Sequence, residues 1–193
     1  MAAAVVAGIW VLVFWFMPSR WWGAQRMVPH WLIAVATGAL LASLWWIWRQ
    51  NSWVDAGYIG IWLLVAVIDA NERIIPNRLV ALSVLWSLVT FVWAARPVTA
   101  SVGCGAGLLL TFLLIHFLTR GGIGMGDVKY SGAVGLALGW PLGLVALVLG
   151  IWTGGIYALV LLLMRAVKRH DSIPLGPFLV FGAILGLVGT IGH

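Results

Sequence analysis

Seven stretches of this chain run without a single Asp, Glu, Lys or Arg: residues 1–19, 31–48, 56–68, 79–95, 97–119, 130–164 and 172–193. A bilayer core is crossed by about 20 apolar residues in a helix. In lipid every backbone N–H and C=O must be paired inside a helix or a closed barrel. The runs are uninterrupted rather than alternating, which excludes the barrel pattern. Composition agrees, with 63% of the 193 residues hydrophobic, only 8% charged and a mean hydropathy of +1.09. The expected fold is therefore all-α, a polytopic membrane helix bundle.

The run 130–164 is long enough for two crossings, and "GWPLG" at 139–143 breaks it, leaving 11 residues ahead of Pro141. Loop charges arbitrate, because cytoplasmic loops carry the excess of Lys and Arg. With 130–140 as a crossing, Arg20, Arg26, Arg73, Arg78, Arg120, Lys129, Arg165, Lys168 and Arg169 share one side, and only Arg49 and Arg96 lie opposite. Without it, the nine-to-two split becomes six to five. The sequence thus predicts about eight crossings, with both termini outside and the loops at 18–30, 70–78, 120–129 and 165–177 in the cytoplasm. The net charge of +6 is largely this topology signal. It also suits anionic lipid headgroups, and no feature points to nucleic acid.

No basic residue precedes the first apolar run, as one would in a secretory signal, so that run is expected to remain as a helix. The lone Cys104 has no partner for a disulfide, a CxxC zinc site or a redox motif, and reads as a small packing residue. Tryptophan pairs such as Trp21–Trp22 and Trp45–Trp46 read as interfacial anchors. Glycines four apart, as at Gly103 and Gly107, Gly135 and Gly139, or Gly182 and Gly186, let neighbouring helices approach. His30, His116, His170 and His193 show no ligand spacing, so no metal is expected. With no hydrophilic domain or repeat, residues 1–193 read as a single integral-membrane domain.

The acids are Asp55, Asp69, Glu72, Asp127 and Asp171. Asp55 follows "NSW" in an expected outside loop and reads as solvated. Asp171, in "KRHDS", reads as part of a surface charge cluster. Asp69 ends the apolar run "YIGIWLLVAVID", where an acid near hydrocarbon costs up to about 2.5–3.5 kcal/mol unless neutralised or hydrated. Asp127 lies in "GGIGMGDVKY", after glycines that allow tight turns. Two predicted spans separate Asp69 from Asp127, so both face the same side. If they meet, like charge drives their pKa values apart and leaves one base and one acid, the arrangement by which aspartic proteases activate water. Other readings of the glycine run fare worse or say less. A Walker loop needs GxxxxGK[ST], which is absent, and a dinucleotide loop should follow a strand. A glycine hinge with a solvated Asp-Lys pair is the purely structural alternative.

"DANERIIPN" (Asp69 to Asn77), "GMGDVK" (Gly124 to Lys129) and "IPLGPFL" (Ile173 to Leu179) together resemble the type IV prepilin peptidase family, of the GxGD class of intramembrane aspartyl proteases. The resemblance covers roughly residues 55–190. It implies that Asp69 and Asp127, in motifs within 69–129, are the catalytic pair. It also implies that the substrate is a pilin-like precursor, whose short basic leader is removed at the cytoplasmic side of a prokaryotic inner membrane. By the same resemblance Gly124 and Gly126 let the backbone bring Asp127 to the water, and Lys129 offers a charge near the dyad or toward the peptide. Pro76 and Asn77 would start the next helix, with asparagine free to bond the local backbone. Pro174, Gly176, Pro177 and Phe178 would shape the cleft wall, or simply form the turn into the last span.

The family's best-known form carries a larger cytoplasmic domain between its first two spans, with zinc-binding cysteines and a motif for N-methylation. Here that place holds "PSRWWGAQRMVPH", so the chain resembles the short, peptidase-only members, and neither zinc nor methyl transfer is expected. Alternatives from another class are a transporter whose acids carry protons, or a degenerate relative that only binds pilin-like helices. A transporter predicts an inverted repeat, and none stands out. Proteases of the presenilin or signal-peptide-peptidase type typically place a tyrosine before the first aspartate, where this chain has Ile68.

Overall fold

The computed structural model describes residues 53–93, 97–164 and 174–189. All the regular structure among them is helical: α1 (Trp53–Glu72), α2 (Asn77–Trp93), α3 (Val98–Leu118), α4 (Met125–Leu138), α5 (Leu142–Leu163) and α6 (Gly176–Gly189). The expected crossings over 1–19 and 31–48, both tryptophan pairs and Asp171 lie outside the described residues.

Three of the helices are long and apolar enough to cross a membrane: α1 over Val54–Glu72, α3 and α5. They differ in what surrounds them. Within these spans 72% of the α1 window is buried in the bundle, against 28% for α3 and 22% for α5. So α1 is an inner helix, and the outer two present Leu110, Leu114, Trp152 and Ile156 outward, as suits acyl chains. α4 is held among α2, α3, α5 and α6 and is buried over most of its length. Its 14 residues rise only about 21 Å, less than a hydrocarbon core of about 30 Å. The break in 130–164 falls where the sequence put it. α4 stops at Leu138, Gly139 turns the chain with φ 70°, and Pro141 precedes α5.

Close helix contacts use glycine, though not every pair that spacing suggested. α3 and α4 meet where a Cβ on Gly135 would stand 2.9 Å from the Gly105 Cα. α5 and α6 meet at Gly182, where any Cβ would collide with the Ala146 carbonyl. Gly103 and Gly107, by contrast, face open space among the described residues. Gly105, between them, is the α3 residue that turns inward. Cys104 is free and buried beside Gly143, a packing residue as expected.

A buried polar seam joins α1 to α2. Tyr58 Oη shares hydrogen bonds with Ser87 Oγ and Thr90 Oγ1 at 3.0 Å each, and Trp62 Nε1 donates to Ser83 Oγ at 3.2 Å. Such bonds between helices in membranes contribute about 0.6 kcal/mol on average. Asp55 corrects the sequence reading. It is only 5% exposed, in the first turn of α1 rather than in a solvated loop. The helix starts earlier than the apolar run does, and an acid is favoured at a helix N-terminus.

Two helix ends shape the loops on the side of Asp69 and Asp127. α1 closes with Arg73 in the left-handed region at φ 56°. After α3, Arg120 N–H bonds Phe117 O at 3.1 Å and Gly121 N–H bonds His116 O at 2.8 Å. This is a Schellman ending, with φ 52° at Arg120 and 90° at Gly121.

Candidate active site

Asp69 lies one turn before the end of α1 rather than in a loop, because Ala70, Asn71 and Glu72 continue the helix. It is 5% exposed. Its Oδ2 accepts a hydrogen bond of 2.8 Å from the backbone N–H of Gly176, the first residue of α6. A Cβ on Gly176 would stand 2.5 Å from that oxygen and 2.8 Å from Asp69 Cγ, closer than real contacts allow. Only glycine brings the α6 terminus this close.

Asp127 sits in the first turn of α4, outside the three spans. Its Oδ1 is buried and has no hydrogen-bond partner among the described residues. Burial, and then the charge of Asp69, push its pKa from 3.8 up to about 6, against the pull of the Gly124 backbone amide. Asp127 thus feels the charge of Asp69 although 58 positions separate them. Gly126 lets this turn rest on the loop between α1 and α2. A Cβ there would come within 2.9 Å of Ile75 Cβ.

The other expected residues divide. Lys129 Nζ donates to Asn77 Oδ1 at 3.0 Å on the exposed rim, tying the first turn of α4 to that of α2. Asn77 therefore makes a long-range bond where a local one was expected. The Pro76 carbonyl accepts the Leu79 and Val80 amides at 3.0 and 3.3 Å and so opens α2. Pro174 precedes α6 and Pro177 stands in its first turn, as a proline turn into a helix requires. Phe178 packs on Tyr157 of α5, with ring centroids 5.1 Å apart, which is helix packing rather than a cleft wall at Asp69. Ile75 was missed as the seat of Gly126. It lies inside "ERIIPN", but an apolar residue carries no chemical signal of its own. Among the described residues no three His, Cys, Asp or Glu side chains gather as a metal site. The arrangement offers two carboxyl groups at one end of the bundle, one held by an oriented amide and one biased to keep its proton. Chemically, two such groups can supply a proton acceptor and a proton donor.

The sequence model of the type IV leader peptidase family matches residues 56–159, just over half of the chain. Similar curated proteins are named prepilin leader peptidase/N-methyltransferase. One from Bacillus subtilis (strain 168) is 29% identical over 134 residues, covering 66% of this chain and 52% of that protein. One from Aeromonas hydrophila is 30% identical over 166 residues, covering 81% and 54%. One from Legionella pneumophila is 30% identical over 138 residues, covering 67% and 48%. The chain spans about half the length of these curated relatives. No solved structure matches it.

Proposed function

Because the chain belongs to the type IV leader peptidase family, we propose that it is a membrane aspartyl endopeptidase that removes the short basic leader from pilin-like precursors. The observation that carries this reading is that the Gly176 amide anchors Asp69 while burial, and then the charge of Asp69, raise the pKa of Asp127. Asp69 takes a proton from water as the water oxygen attacks the scissile carbonyl. Asp127 holds the proton that supports the developing oxyanion and then passes to the departing amine. Lys129, Gly124 and Gly126 hold the Asp127 turn in place.

The site faces the cytoplasm of a bacterial inner membrane in this reading, since the acids share a side with Arg73, Arg78, Arg120 and Lys129. About eight crossings with both termini outside complete the topology, with 130–140 as a short, enclosed crossing surrounded by helices rather than lipid.

Cleavage of a pilin-like precursor by purified protein in lipid tests the reading, with Asp69→Asn and Asp127→Asn as near-isosteric controls. Each variant should remain folded and lose about 10²–10⁴-fold in rate. A folded variant that retains full cleavage removes its aspartate from the mechanism. If wild type cuts no member of a broad precursor panel, binding or proton transport becomes the better reading.

A further inference from the structure

His116 stands in the last turn of α3 and belongs to none of the motifs that mark the acids. Its ring Nδ1 lies 2.6 Å from the carbonyl oxygen of Ile123. A carbonyl only accepts, so Nδ1 carries the hydrogen, and both the neutral and the protonated ring keep this bond. The backbone carbonyl of the same residue accepts the Gly121 N–H at 2.8 Å. Thr119 adds a third tie, its hydroxyl oxygen accepting the Gly122 N–H at 3.1 Å. Residues 119–123 are thereby clasped to the end of α3. The chain leaves the clasp at Ile123, one residue before Gly124, which precedes α4. A Cβ on Gly124 would stand 3.1 Å from Asp127 Oδ2, so any drift of this segment is felt at the carboxylate.

We propose that His116 is a positioning residue for Asp127, the imidazole of α3 holding the Ile123 carbonyl so that α4 starts where its first turn presents the acid to Asp69. The mechanical part of this inference is independent of the reaction, and the catalytic consequence rests on the peptidase reading. The test compares wild type with His116→Ala and His116→Asn in lipid nanodiscs. An asparagine amide nitrogen reaches about the place of Nδ1, so the second variant keeps a donor.

Amide hydrogen exchange over 119–128 should speed at least about ten-fold in His116→Ala and stay near wild type in His116→Asn. Exchange in α1 and α6 should not change. In precursor cleavage, His116→Ala should lower kcat by up to about 10²-fold with KM within about two-fold, and His116→Asn should restore most of it. Unaltered exchange over 119–128 in His116→Ala overturns the proposal, as does a His116→Asn variant impaired as badly as His116→Ala. If exchange responds as expected but no protein cuts a precursor, the clasp stands and the peptidase reading fails.

Discussion

Asp69 receives its hydrogen bond from an amide 107 positions further along the chain, and that approach leaves no room for a methyl group. Gly176→Ala should therefore displace the carboxylate or the α6 terminus, and cleavage should fall by about 10²-fold or more while helix content holds. Circular dichroism alongside the cleavage assay checks this, and undiminished cleavage would show that the amide is not needed. Asp127 carries a separate consequence in pH. Its pKa is raised from 3.8 to about 6, so the folded state disfavours its ionised form. The associated stability is fully present below about pH 4 and is lost as pH rises through about 6, a change of about 3 kcal/mol when fully expressed. Asp127→Asn lacks the group. Its melting temperature relative to wild type should climb across that window and level off above it, and a constant offset would contradict the assignment.

At the scale of helices and their ends, the sequence was legible wherever a breaker marked a boundary. "GWPLG" announced the split between α4 and α5, and proline marked the entries to α2 and α6. Boundaries without a breaker were misplaced. Nothing stops α1 at Asp69, and the first firm obstacle is Ile75, whose position before proline disfavours helix. Asp69 and Asp127 stood out as candidates because acids are rare in such a chain, but whether they meet was not legible in the sequence. Nor were the Gly176 donor and the His116 clasp, since each joins a residue to a distant backbone group that leaves no trace in the pattern. The Schellman ending of α3 yields a prediction of its own. Arg120 occupies the left-handed position at φ 52°, where glycine is at ease. Arg120→Gly should stabilise the protein by about 1 kcal/mol, read as a higher Tm in detergent.

For the whole molecule, the short α4 decides the topology. If 130–140 crosses, the turn between α4 and α5 lies outside, and Arg78 at the start of α2 and Arg120 after α3 lie inside. In a Cys104→Ser background, Trp140→Cys should react with an impermeant maleimide on intact spheroplasts. Arg78→Cys and Arg120→Cys should react only after permeabilisation. Labelling of Trp140→Cys only in opened cells would reduce the crossings and place that turn in the cytoplasm. The bond from Gly176 to Asp69 also bears on how such a chain is made. Synthesis runs from the N-terminus, so α1, with its acid, is in the bilayer long before α6 leaves the ribosome. Until α6 inserts, Asp69 lacks the Gly176 amide. A centre that depends on that amide is therefore complete only after α6 has inserted beside α1.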